Sequence, residues 1–132
     1  MATFDITRII SSDQTEGRLA GFKEVIAPEM GPPMHIHPGQ IEIFHIVSGR
    51  LRFQVGEETL EVGPGGHAVV PAGVAHAFKN IGEESAEIRF EMVPPGDSEE
   101  MFRRLVEEAG EHDDLNAFFD QFQIEIVGPP LE

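Results

Sequence analysis

Glycine and proline interrupt this chain about every ten residues, and that spacing limits what it can fold into. The runs between these breaks have the character of β-strands. Short strands at such a spacing are typical of an antiparallel sandwich or barrel. The strand-like runs are Leu19–Ile26, Glu42–Val47, Leu51–Val55, Thr59–Val62, Ala68–Val70, Ala75–Lys79 and Ala86–Val93.

The composition narrows the class of protein further. A length of 132 residues predicts one domain with a core of its own. The absence of cysteine excludes disulfides and thiolate zinc sites, so nitrogen and oxygen atoms must hold any metal ion. The formal net charge of -15 repels phosphate groups, which argues against nucleic acid and anionic membranes as partners.

The start of the chain shows no targeting segment. The sequence MATFDITRII lacks the basic and apolar regions of a secretory signal. No apolar run reaches the length of about eighteen residues that a membrane helix needs. We therefore expect a cytoplasmic protein that does not associate with membranes.

The character of the sequence changes at residues 94–96, where two prolines precede a glycine. Asp97 and Glu100 have the spacing of a helix-capping pair. Apolar residues then recur at helical spacing and predict two short amphipathic helices that pack on the barrel or on a neighbouring subunit. We expect a barrel over residues 1–95 and a helical extension of the same domain over residues 96–132. The apolar stripes are Met101, Phe102, Leu105, Val106 and Ala109, then Leu115, Phe118, Phe119 and Phe122.

Three of the six histidines form an ordered arrangement with one glutamate. His35 and His37 are two residues apart and point to the same side of an extended strand. Glu42 follows at the head of the next strand, and His76 comes directly after a Pro71-Ala72-Gly73 turn. Three imidazoles and one carboxylate suit a single divalent transition metal ion, namely Fe, Mn, Ni, Zn, Co or Cu.

Two stretches of the chain resemble the two sequence motifs of the cupin superfamily. The first is Gly31-Pro-Pro-Met-His35-Ile-His37-Pro-Gly-Gln-Ile-Glu42, followed by Gly49, and the second runs from Gly65 to Asn80. The resemblance spans about residues 18 to 93. The helical tail and its Gly-Pro-Pro ending look like those of small single-domain bacterial cupins of the quercetinase-like type. The resemblance to cupins implies an all-β double-stranded β-helix, or jelly-roll barrel, with a metal ion on His35, His37, Glu42 and His76.

Strand alternation predicts an apolar pocket around these four residues. Phe44 shares a face with Glu42, and Phe78 shares a face with His76. Phe53 and Phe90 occupy equivalent inward positions on their own strands, and Gln40 lies near the ligands, where its amide can hold a bound water. The chain has ten phenylalanines and no tyrosine or tryptophan, so neither a phenol nor an indole can donate a hydrogen bond to a substrate.

A metal site with few other polar groups suits chemistry that the metal itself performs. The leading hypothesis is a metal-dependent oxidoreductase of the dioxygenase type, acting on a small apolar or aromatic molecule that chelates the ion. The alternatives are a non-catalytic cupin that binds or senses a small molecule, and an isomerase or lyase. An isomerase needs a positioned acid and base, and strand alternation assigns no inward-facing lysine, tyrosine or second glutamate to that role. The sequence alone assigns no catalytic residue.

The strand that begins with Glu42 is apolar on its other face as well. Ile41, Ile43 and Val47 point away from Glu42, so another part of the chain or another subunit must cover them. We expect a homodimer.

Overall fold

The computed structural model describes residues 4–108, 111 and 115–132. Within them, strands form two antiparallel five-stranded sheets. A short 3-10 helix, Ser12–Thr15, follows the first strand, and two helices, α1 (Ser98–Glu108) and α2 (Leu115–Asp120), precede the last strand. The strands are β1 (Asp5–Ile10), β2 (Ala20–Ile26), β3 (Pro33–Ile36), β4 (Ile41–Ser48), β5 (Leu51–Val55), β6 (Glu58–Val62), β7 (His67–Val70), β8 (His76–Asn80), β9 (Ala86–Val93) and β10 (Glu125–Pro130).

The strand order shows a jelly roll. The first sheet runs β1-β2-β9-β4-β7, and the second runs β10-β3-β8-β5-β6. Neighbours in each sheet are mostly distant in sequence, so the chain crosses repeatedly from one sheet to the other, as in a double-stranded β-helix. The predicted all-β barrel with two C-terminal helices is confirmed. No helix in the described part of the chain is long and apolar enough to cross a membrane.

Alternate residues of the central strands form the core between the sheets. Phe22, Phe44, Phe53 and Phe90 are each at most 1% exposed. Their rings pack in a continuous group, with centroids 5.2 Å apart for Phe22 and Phe90 and 5.1 Å apart for Phe44 and Phe53. Burial of one such side chain stabilises the fold by about 1.5–3 kcal/mol.

The two helices bury most of the apolar stripes that the sequence predicts, although Val106 is 41% exposed and Ala109 lies outside the described residues. Phe102 of α1 packs its ring on Phe22 and Phe90 of the barrel, at centroid distances of 4.8 and 5.2 Å. Helix α1 thereby covers the core beside β1, and α2 packs on β10. A second buried cluster forms there from Met101, Leu105, Phe118, Phe119 and Ile124, with Phe4 and Ile6 packed against it.

The last strand, β10, lies at the edge of the second sheet. β10 pairs with β3, which places Ile126 opposite His35 and Glu125 opposite Ile36. On its other side β3 pairs with β8 through His35 and His76 alone. The last strand therefore forms most of the pairing that positions the strand carrying His35.

Candidate metal centre

The fold brings together the four side chains that the sequence predicts as metal ligands. His35 on β3 and His76 on β8 are direct cross-strand partners in the second sheet. His37 follows β3, and Glu42 projects from β4 in the opposite sheet. One potential ligand atom from each of the four lies within 4.8 Å of all the others. The cluster thus joins the two sheets at one end of the barrel.

Backbone carbonyls orient two of the imidazoles. Nδ1 of His35 lies 2.7 Å from the carbonyl oxygen of Pro33, and Nδ1 of His76 lies 3.0 Å from that of Val74. A carbonyl oxygen only accepts, so each Nδ1 carries the hydrogen and donates it. In a neutral ring, Nε2 then has a free lone pair, which is the form of histidine that binds a metal ion.

The arrangement of acceptor atoms calls for a positive charge between them. Nε2 of His76 lies 3.1 Å from Oε1 of Glu42, and Nε2 of His37 lies 3.6 Å from the same oxygen. A neutral imidazole lone pair and a carboxylate oxygen repel at such distances unless a proton or a cation lies between them. All three of these side chains are at most 5% exposed.

Burial favours the neutral form of two of the imidazoles, those of His35 and His37. Burial above all, together with the proximity of His76 and against the opposing effect of the Pro33 carbonyl, lowers the pKa of His35 to about 3. Burial also holds the pKa of His37 well below its usual range, with His35 and His76 acting in the same direction. Neutral imidazoles beside one carboxylate form a donor set that fits a divalent transition metal ion.

The comparison with protein families agrees with this geometry. A family model described as "Cupin domain" matches residues 22–93, more than half of the chain. This chain belongs to the cupin family. The match spans all four residues of the cluster.

Two curated relatives from Streptomyces cover part of this cupin. An uncharacterised protein of Streptomyces coelicolor is 49% identical over 45 residues, which are 34% of this chain and 43% of that protein. A protein named polyketide synthase CurC from Streptomyces cyaneus is 28% identical over 89 residues, covering 66% of this chain and 58% of that protein. The aligned parts thus span less than two thirds of either relative.

Among solved structures, the cupin resembles an oxalate oxidase determined in complex with glycolate. The TM-score is 0.60 at 22% identity, over 69% of this chain and 51% of the other. At this level of identity the similarity concerns the fold.

An apolar cavity of about 90 Å³ opens beside the cluster. His35, His37 and Glu42 contribute its polar wall. The rest is largely apolar and comes from distant parts of the cupin, since β1, α1, α2 and β10 all contribute. The apolar lining includes Ile6, Phe78, Phe90, Phe102, Leu105 and Phe119.

The cavity includes only some of the pocket residues predicted from the sequence. Phe78 and Phe90 line it. Phe44 and Phe53 instead lie behind them in the core, 1% and 0% exposed, because alternation specifies the face of a strand but not the depth within the barrel. The Gln40 amide donates a hydrogen bond to the carbonyl oxygen of Pro95 at 3.0 Å and lines a smaller neighbouring cavity with His37.

The structure also reveals an inward-facing carboxyl group that the sequence analysis missed. Glu24 of β2 lies between Phe22 and Ile26 on the inner face and lines the same cavity as the cluster. Burial raises the pKa of Glu24 to about 8, and the negative charges of Glu42 and Asp5 raise it in the same direction. The alternation within the run Leu19–Ile26 already indicated this orientation, since Ala20, Phe22, Glu24 and Ile26 share one face.

Proposed function

We propose that this cupin holds one divalent transition metal ion on His35, His37, Glu42 and His76 and acts as a dioxygenase-type oxidoreductase. Its substrate would be a small apolar or aromatic molecule that chelates the ion. The observation that supports this most directly is that three of the four clustered donors, His35, His37 and Glu42, line an apolar cavity, where a ligand can reach them. A buried ion enclosed on all sides would serve structure alone.

The protein's own residues would bind and orient the substrate. When bound, a redox-active ion supplies Lewis acidity and electron transfer to dioxygen. Phe78 and Phe90 exclude water from the ligand and offer ring faces to an aromatic substrate. The carbonyl partners of His35 and His76 keep both rings in a fixed orientation, so that they need not reorganise when a ligand arrives.

The named relatives are compatible with a chelating substrate. Glycolate, the molecule in the oxalate oxidase complex, carries a hydroxyl and a carboxylate on adjacent carbons. The relative named polyketide synthase CurC suggests oxygen-rich carbon skeletons, many of which contain adjacent oxygen atoms. The small cavity favours single-ring catechols and β-diketones over flavonols.

The experiment is a substrate screen on the full chain loaded in turn with Fe, Ni and Mn. Oxygen uptake and absorbance would be followed with catechols, β-diketones and flavonols. We expect at least one catechol or β-diketone to be consumed with matching oxygen uptake, and no consumption by the His35→Ala/His76→Ala variant. Absorbance shifts without oxygen uptake would contradict a dioxygenase and indicate a non-catalytic binding or sensing cupin.

Glu24 favours a second candidate, an isomerase or lyase. Such a reaction needs a group that can exchange a proton with the substrate. A carboxyl group whose pKa is raised to about 8 exists in both protonation states near neutral pH. In the same screen, this candidate predicts substrate conversion that continues without oxygen.

We further propose that the cupin is a homodimer joined through the outer face of the first sheet. Ile41, Val47 and Val69 are 41%, 46% and 49% exposed there, on adjacent strands β4 and β7. Helix α1 packs at the opposite edge of this sheet, beside β1, and α2 packs on β10 of the second sheet. A partner would remove these side chains from water, and each large apolar side chain buried contributes about 1.5–3 kcal/mol.

We expect light scattering at micromolar concentration to give the mass of a dimer. Ile41→Lys/Val69→Lys should give a monomer, because two like charges would enter the centre of the interface. Val106→Lys is the matched control, since Val106 of α1 is also 41% exposed but lies away from this face. A monomeric unsubstituted protein would contradict the proposal.

A further inference from the structure

Glu24 occupies a position where a charged side chain has no evident structural use. Its neighbours on the inner face of β2, Phe22 and Ile26, are 1% and 4% exposed. Across the sheet it is opposite Ile6 of β1 and Ile88 of β9, and Ile88 is fully buried. Carboxyl groups in such surroundings are destabilising unless they are paired or neutral.

No residue in the described ranges 4–108, 111 and 115–132 makes a hydrogen bond or ion pair with Glu24. The basic residues nearest in register, Lys23 and Arg89, are cross-strand partners on the opposite face of the sheet. Asp5 is the nearest titratable group on β1 and carries the same charge sign. The fold therefore leaves the hydrogen-bonding capacity of this carboxyl group available.

The cavity connects Glu24 with the metal centre. Glu24 and the donors His35, His37 and Glu42 line one cavity, and most of its other lining residues, including Phe90 and Phe102, are apolar. A ligand that chelates an ion at one end would extend along these apolar walls. Its far end would then lie next to Glu24.

We propose that Glu24 is a specificity-determining residue that hydrogen-bonds a neutral polar group, a hydroxyl or a carbonyl, at the end of the ligand opposite its chelating oxygens. The proposal rests on the proposed metal centre and names the substrate class more closely. The ligand is a small chelator with an apolar middle and an uncharged polar group at its far end.

The charges around the cavity favour a neutral group over an anion. Burial is the largest cause of the raised pKa of Glu24, and the negative charge of Asp5 acts in the same direction, so an anionic ligand group at this end of the cavity would meet both desolvation and repulsion. A protonated carboxyl group can donate to a hydroxyl or carbonyl oxygen and accept from a hydroxyl. Burial, the largest cause of the raised pKa of Glu24, favours that protonated form in the cavity.

The test uses three catechols that differ only opposite the chelating oxygens. 4-Methylcatechol, 4-(hydroxymethyl)catechol and 3,4-dihydroxybenzoate would be titrated by calorimetry into the full chain loaded with Zn²⁺. We expect the hydroxymethyl compound to bind about five- to tenfold more tightly than the methyl compound, the gain typical of one added hydrogen bond. The carboxylate compound should bind most weakly.

Two substitutions separate hydrogen bonding from shape. Glu24→Leu should remove the preference for the hydroxymethyl compound and leave affinity for the methyl compound within about twofold, because only the hydrogen bond is lost. Glu24→Gln should keep the preference, because an amide also donates and accepts. Glu87→Gln, on β9 and outside the cavity lining, is the control and should match the unsubstituted protein.

The outcomes distinguish this proposal from the proposed function. A preference that persists in Glu24→Leu, or equal binding of the methyl and hydroxymethyl compounds by the unsubstituted chain, would overturn the role of Glu24 and leave the metal centre standing. Catechol binding that is unchanged in His35→Ala/His76→Ala, or absent altogether, would instead overturn chelation at the metal centre. The Glu24 proposal would fail with it.

Discussion

Replacing His35 and His76 together by alanine should reduce the metal content from about one ion per chain to almost none. The two imidazoles are adjacent across β3 and β8, and because backbone carbonyls hold both Nδ1 atoms, Nε2 is the ligand atom of each ring. The remaining His37 and Glu42 would form a two-ligand site, which binds transition ions weakly. Elemental analysis after dialysis against a limiting metal buffer measures the change.

A second histidine pair provides the matched control. His45 and His67 are also cross-strand partners, on β4 and β7, but both lie on the exposed outer face. His45→Ala/His67→Ala should retain a full complement of metal and the increase in melting temperature on metal addition. A ligand in 100-fold excess over its dissociation constant adds about 2.7 kcal/mol of stability. Full metal content in His35→Ala/His76→Ala would refute the assignment of the four ligands.

Glu24→Gln should stabilise the metal-free protein, and the gain should grow as pH rises from about 5 to about 8. Because the pKa of Glu24 is raised from 4.5 to about 8, the folded state binds a proton that the unfolded state has released in this range. Stability therefore falls with rising pH wherever the folded state holds more protons. Glutamine does not titrate, so the variant lacks the contribution of Glu24 to the pH dependence of the free energy of unfolding.

The expected gain at pH 8 is on the order of 1–3 kcal/mol. The difference between the folded and unfolded pKa of Glu24 corresponds to at most about 5 kcal/mol, since each pH unit is worth about 1.36 kcal/mol. Contact of the carboxyl group with water in the cavity reduces this free energy. Urea unfolding at pH 5, 6, 7 and 8 in the presence of a chelator measures the effect. Glu84→Gln changes an exposed residue, so its free energy of unfolding should depend on pH in the same way as that of the unsubstituted protein. The same pH dependence in Glu24→Gln would show that the Glu24 carboxyl group is ionised in the folded state.

Much of the barrel and the composition of the cluster could be predicted from the sequence because both depend on local patterns. Strand alternation places His35 and Glu42 on inner faces, and Leu51–Val55 and Ala86–Val93 have the predicted bounds. Gly49 of the first motif has a clear reason, since its φ is +89° and a Cβ there would lie 2.6 Å from the Cβ of Ala86.

The parts that escaped prediction depend on contacts between distant residues. No local pattern shows that β10 pairs with β3, or that β1 joins β2 at the edge of the other sheet. Glu24 could have been found from alternation, but a lone acidic residue in an apolar run also suits the edge of a sheet. The division at residue 95, the dimer and the cytoplasmic location stay predictions.

The pairing of β10 with β3 has a consequence for the order of events during synthesis. His35, His37, Glu42 and His76 all leave the ribosome well before the strand that pairs with β3. Until Glu125–Pro130 emerge, the strand carrying His35 is an open sheet edge attached to β8 at one position. A nascent chain therefore has all four ligands but lacks β10, the strand that supports β3. Stable metal binding should follow the completion of translation.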